Sequence, residues 1–155
     1  MKAIYDYEDV TFKLFKKPGA LLKDLEKSPE FTPIEKEKFD VAILWMGGND
    51  ITTELSPKQI FDNIFRYVTT LLKKKLQKKS GCSLIEKRKY PPGHRYFSYN
   101  ESYWRQANVV NKILNKKSKK AGYFVLNFTC KRFTQKKENI HFDQKSQVIV
   151  KEAIK

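Results

Sequence analysis

Asp40-Val41-Ala42-Ile43-Leu44-Trp45-Met46-Gly47-Gly48-Asn49-Asp50 is an apolar run that stops at two glycines and two small polar residues. The six apolar residues from Val41 to Met46 show no helical periodicity, which fits a parallel strand covered on both faces. The glycine pair lets the backbone turn sharply and approach a ligand closely. Ligands of open α/β sheets gather at the carboxyl ends of the strands. Asn49 is therefore a candidate site residue, with Gly47 and Gly48 as its neighbouring backbone. Gly and Asn suit a plain βα turn equally well, so the flanking elements must decide.

Upstream, Val10 to Phe15 is predicted as a strand that leads through Lys17-Pro18-Gly19-Ala20 into a short amphipathic stretch with Leu21, Leu22 and Leu25. Thr32-Pro33-Ile34-Glu35 has a capping residue, a proline at the first helical position and an acid at the third, which opens another short helix. Downstream, Ser56-Pro57-Lys58-Gln59 repeats the capping pattern. The helix it starts carries Ile60, Phe61, Ile64, Phe65, Val68, Leu71, Leu72 and Leu76 on one face, a core stripe. Cys82 to Ile85 is predicted as a strand, Asn100 to about Asn115 as a helix with Tyr103, Ala107, Val110 and Leu114 aligned, Tyr123 to Phe128 as a strand, and Gln144 to Ala153 as a terminal helix. Strands alternate with helices, which argues an α/β fold with a parallel sheet and helices on both faces. Lys87 to Tyr99 is the one long irregular loop, and its His94 reads as a surface residue.

At 155 residues the chain is the size of one domain, and 40% hydrophobic and 14% aromatic residues supply a core. The longest apolar run is far short of the roughly 20 residues that span a bilayer, and no basic-then-apolar leader follows Met1. A cytoplasmic or otherwise intracellular chain is the expectation. Cys82 and Cys130 lack metal-ligand spacing and read as buried free thiols; no metal site and no cofactor are expected. Lys and Arg number 32 against 17 acids, a formal charge of +15. Many of these cations fall at the ends of predicted helices, where they complement the helix dipole. They also imply weak, salt-dependent attraction to nucleic acid, without a reader motif to make it specific.

Near the C-terminus, Glu138-Asn139-Ile140-His141-Phe142 places a carboxylate three residues before one of only two histidines. Taken in order, Lys17-Pro18-Gly19-Ala20 after an early strand, a strand ending Gly47-Gly48-Asn49-Asp50-Ile51, and a carboxylate-x-x-His before the last helix resemble the SGNH (GDSL-type) hydrolases. The resemblance runs from about Val10 to Lys155 and includes Ile85-Glu86-Lys87-Arg88 followed by Tyr103 to Leu114, as in uncharacterised invertebrate members of that superfamily. It implies a three-layer α/β/α flavodoxin-like fold and an esterase-type activity on ester or acyl substrates. It also implies that the Gly19 N–H and the Asn49 side-chain amide are oxyanion-hole donors, that His141 is the general base, and that Glu138 orients it. Fixed donors stabilise the charge that develops on an attacked carbonyl, and an imidazole near neutral pKa can take a proton from a serine.

Two departures qualify that expectation. Family members usually carry Asp at the position of Glu138 and Gly at that of Asn139. The family's nucleophile lies in a Gly-Asp-Ser motif at the end of the first strand, and this sequence has no Gly-Asp-Ser; its first serine, Ser28, already follows Gly19. Ile4-Tyr5-Asp6-Tyr7 echoes the motif without a serine, too close to Gly19 for a parallel crossover of roughly a dozen residues. The resulting expectation is a single SGNH-like domain over residues 1–155, N-terminally truncated so that the first βα unit is missing, a pseudoenzyme with no nucleophile. A chain that starts at the family's second strand leaves strand edges unpaired. A truncated gene product, a strand lent by another copy (a strand-mediated oligomer), or a local rearrangement of Ala3 to Phe15 would each answer this. The alternative function is a degenerate hydrolase scaffold that serves as a basic nucleic-acid-binding or protein-interaction module.

Overall fold

The computed structural model describes residues 2–7, 10–15, 19–27, 29, 39–73 and 77–127. The chain opens with β1 (Lys2–Tyr7) and β2 (Val10–Phe15), paired antiparallel from Lys2↔Phe15 to Tyr7↔Val10. The strand over Val10–Phe15 is where the sequence puts it, but it lies in a two-stranded sheet with β1 and outside the parallel sheet. The reason is the connection, since two residues can link antiparallel neighbours only. Residues 3–15 thus pair with one another and add no strand to the parallel sheet.

The main sheet has three parallel strands in the order β3 (Phe39–Leu44), β4 (Gln77–Ser83), β5 (Phe124–Leu126), with Leu44 opposite Cys82 and Cys82 opposite Val125. Helix α1 (Pro57–Lys73) joins β3 to β4, and α2 (Asn100–Ala121) joins β4 to β5. Two successive crossovers that step the same way across a sheet place both helices on one face. The two helices accordingly pack on each other as well as on the strands. The α/β class expected from the sequence is the one observed. The capped helix expected from Thr32 and the terminal helix expected over 144–153 lie outside the described residues.

Local chemistry explains the helix ends. At the start of α1 the Gln59 N–H donates to Ser56 Oγ at 3.2 Å and the Ser56 N–H to Gln59 Oε1 at 2.8 Å, the reciprocal capping box the sequence predicts. At the other end of α2, Gly122 takes φ +78° and its N–H donates to the Ser118 carbonyl, while Lys119 and Lys120 sit at the negative end of the dipole. The stripe Ile60, Ile64 and Val68 of α1 meets Tyr103, Ala107, Val110 and Leu114 of α2, Leu44 and Cys82 of the sheet, and Ile85 just beyond β4 in one core. Burial pushes the Cys82 thiol up to about 12, which leaves it the inert apolar residue expected; Cys130 lies outside the described residues.

Several boundaries differ from the sequence reading, among them β5, which is Phe124–Leu126 within the predicted Tyr123 to Phe128. β3 ends at Leu44, and Trp45 and Met46 follow it as irregular chain. Val41 is 48% and Trp45 37% exposed, and among the described residues both crossover helices lie on the opposite side of the sheet from them. β4 begins at Gln77, ahead of the predicted Cys82, and ends at Ser83. Its early part, Gln77-Lys78-Lys79, is too polar to read as strand, and the ladder with β3 supplies what propensity does not. Helix α2 runs on to Ala121, past the predicted end near Asn115, through a lysine-rich stretch of good helix formers.

Candidate active site

The glycine block after β3 is built as a tight polar corner. Gly47 sits at φ +115°, a conformation that side chains rarely adopt, and a Cβ there would press on Ile64 and Ile85 at 3.2 Å. Its carbonyl accepts the Asp50 N–H, and the following residues wind into a single 3-10 turn, Asp50–Thr52. This turn presents two consecutive polar side chains, Asn49 and Asp50, to the segment around Gly19.

Both reach across to that segment. Asn49 Nδ2 donates to the Ala20 carbonyl at 3.1 Å, and the buried Leu22 N–H donates to the Asp50 carboxylate at 3.2 and 3.4 Å. Gly19 itself is exposed at φ +73°, with nothing within 4 Å of where a Cβ would stand, so it is the conformation and not crowding that asks for glycine. The structure thus brings two of the sequence-predicted residues, Gly19 and Asn49, into one neighbourhood through Ala20. His141 and Glu138 lie outside the described residues.

Asp50 was not among the residues the sequence singled out. It is 1% exposed, and burial raises its carboxyl from 3.8 to about 6 despite the Leu22 N–H that favours the charged form. Its role is structural at the site, tying the first turn of the 3-10 helix Leu22–Lys27 to the 3-10 turn Asp50–Thr52. An acid in the last position of an apolar-run-plus-glycine block, with no basic residue beside it in sequence, was the available signal.

A second group missed from the sequence lies on the segment leaving β4. Arg88 donates from Nη1 to Asn49 Oδ1 at 2.9 Å, and from Nε and Nη2 to Glu86 Oε1 at 2.8 and 2.6 Å. Both side chains are largely enclosed, at 15% and 11% exposure. Burial alone would lower the guanidinium's pKa, but the Glu86 carboxylate outweighs it and holds Arg88 firmly charged. Glu86 and Arg88 stand two apart in sequence, just beyond β4, and pair with each other. That spacing was legible, but nothing in it pointed to Asn49.

The segment itself is fixed by carboxamides. Asn111 of α2 donates from Nδ2 to the Ile85 carbonyl at 3.0 Å and accepts the Ile85 N–H on Oδ1 at 2.7 Å. Asn100 does the same for Tyr90, at 2.8 and 2.7 Å. Beyond it, Tyr90 stacks on His94 with centroids 4.8 Å apart, and Nδ1 of His94 accepts the Tyr96 N–H at 3.1 Å. His94 is accordingly half-buried in an aromatic cluster, where the sequence reading put it on the surface. Among the described residues no group of His, Cys, Asp and Glu could hold a metal ion, and no helix is long and apolar enough to cross a membrane.

The chain is similar to known proteins in two respects. The GDSL-like lipase/acylhydrolase family is matched over residues 6–154. Among solved structures, the native aryl esterase of M. smegmatis superposes with a TM-score of 0.55 at 12% identity, over 86% of this chain and 65% of that one. At that identity the likeness is one of fold, and this chain spans about two thirds of the esterase's length. No curated protein matches the sequence.

Proposed function

The chain belongs to the GDSL-like lipase/acylhydrolase family, and from that premise we propose that it carries the oxyanion-binding side of an ester or acyl hydrolase site without a serine placed to attack. In this reading the Gly19 N–H and the Asn49 amide stabilise the oxyanion, His141 is the base, and Glu138 orients it. The observation that supports it is the Asn49–Ala20 hydrogen bond, which ties the amide donor to the turn that carries the backbone donor. Donors fixed in this way cost no reorganisation when charge develops on a carbonyl oxygen. The sequence has no Gly-Asp-Ser, and the buried hydroxyls of Ser80 and Ser83 in β4 have no hydrogen-bond partner and so no base among the described residues.

Ester hydrolysis through an acyl-enzyme needs a nucleophile beside the base; donors and binding alone leave roughly 10³ to 10⁴ over water in a protease site that has lost a triad member. In this reading even that is lost, because the strand that carries the family's serine also supplies one backbone donor and the floor of the pocket. Short-chain aryl esters are the first probe, since the structural relative is an aryl esterase. The 155-residue chain is expected to leave them at the buffer rate and to take no label from a fluorophosphonate. Supplying a strand–helix segment with Gly-Asp-Ser ahead of Met1 should give turnover, which Asn49→Ala should lower by roughly 10² to 10³. Stoichiometric labelling of a serine in the unmodified chain, lost in His141→Ala, would refute the reading.

A further inference from the structure

We infer that Arg88 is a positioning residue whose guanidinium, seated on Gly48 and held by Glu86, fixes the orientation of the Asn49 carboxamide. An asparagine side chain can turn over and exchange its oxygen for its nitrogen with little change in shape. Here both ends are specified. Oδ1 faces the Nη1 donor of Arg88, and Nδ2 faces the carbonyl acceptor of Ala20. The reversed amide would set NH₂ against a guanidinium and oxygen against a carbonyl, two repulsions in place of two hydrogen bonds. The Ala20 bond uses one N–H of Nδ2, and the reading of Asn49 as an oxyanion donor uses the other. A cation that donates to the amide oxygen also draws electron density from the nitrogen and strengthens that N–H as a donor.

The clamp needs each of its parts. Glu86 takes two of the guanidinium's donors and leaves Nη1 pointing at Asn49, a fork geometry that a lysine ammonium cannot reproduce. Gly48 supplies the floor: a Cβ there would stand 2.6 Å from Cζ and Nη2 of Arg88. Any side chain at position 48 therefore displaces the guanidinium, even with Arg88 intact. The catalytic consequence rests on the reading of Asn49 as an oxyanion donor; the clamp itself does not.

The test is the Asn49 side-chain amide in a ¹⁵N-correlated NMR spectrum of the full 155-residue chain, with the backbone amides of α1 and α2 as the check on folding. In the native chain its two protons should be widely separated and exchange slowly. In Arg88→Lys the pair should collapse toward the position of a free amide and exchange about 10- to 100-fold faster, the worth of a hydrogen bond to a charged group. Gly48→Ala should do the same without changing the arginine. A collapsed, fast-exchanging pair in the native chain overturns the inference whether or not any variant folds. So does an unchanged pair in either folded variant. Turnover in the chain supplied with Gly-Asp-Ser separates the two proposals. If Asn49→Ala is harmless there, the oxyanion role falls and the clamp stands. If Arg88→Lys slows turnover as much in an Asn49→Ala background as in the native one, Arg88 does not act through Asn49.

Discussion

Asp50→Asn should change how stability depends on pH while leaving the fold in place. The Asp50 carboxyl is buried, receives the Leu22 N–H, and titrates at about 6 where an unfolded chain's would titrate at 3.8. A carboxyl whose pKa is raised on folding contributes stability that is fully present below 3.8 and lost as pH rises through 6, because the folded state holds the proton more tightly. At 1.36 kcal/mol per pH unit, that interval is worth about 3 kcal/mol. Asparagine keeps an oxygen for the Leu22 N–H and cannot ionise. The stability of the variant minus that of the native chain should therefore climb by about 3 kcal/mol between pH 3.5 and 7. Urea unfolding at fixed ionic strength reads this as a divergence in midpoint of about 1 to 3 M, given slopes of about 1 to 3 kcal/mol/M. Other titrating groups cancel in the difference. A difference that stays flat across this range would show that Asp50 is not held in a desolvated site, and that the packing of the Leu22 turn on the Asp50 turn is wrong.

Asn111→Ala removes both partners of the Ile85 peptide inside the core and should destabilise by about 2 to 5 kcal/mol, seen in chemical denaturation; a loss under 1 kcal/mol would mean water reaches that peptide. Gly81→Ala places a Cβ 2.6 Å from the Phe124 carbonyl oxygen and 2.5 Å from its ring, so β5 must shift off β4, at a cost of about 1 to 3 kcal/mol and a lowered melting temperature. Tyr123→Phe deletes the buried hydrogen bond to the Leu114 carbonyl, 2.6 Å long, and should cost about 1 kcal/mol by the same measurement.

The helices were the most legible part of the fold because their signals are local. Ser56 and Gln59 lie within one turn, and the Ile60, Ile64 and Val68 stripe states which face is buried. The strands were less so. Pairing is decided by partners far away in sequence: Gln77-Lys78-Lys79 has little β propensity and is strand because β3 lies beside it. The exposure of Val41 has the same origin, since a run of apolar residues does not say how many faces will be covered. The hairpin of β1 and β2 follows from a two-residue connection, a constraint the sequence displayed and the assumption of one continuous parallel sheet obscured.

At the site, Asn49 stood out because glycines and a strand end surround it, whereas Arg88 and Asp50 act through partners 39 and 28 residues away. What makes Arg88 effective is also non-local. The segment after β4 has no ladder of its own from Ile85 onward, yet it is not loose: Asn111 binds the peptide of Ile85 on both edges, and Asn100 binds that of Tyr90. Each carboxamide does what a neighbouring strand would do, offering one donor and one acceptor to a backbone that otherwise buries both unpaired. Glu86 and Arg88 lie between these two attachment points, both of which come from the same rigid helix, α2. An arginine on a free loop would lose side-chain and backbone entropy each time it met Asn49. Here the backbone part of that loss is met by α2 when the protein folds, which is why an irregular segment can aim a side chain as firmly as a strand does.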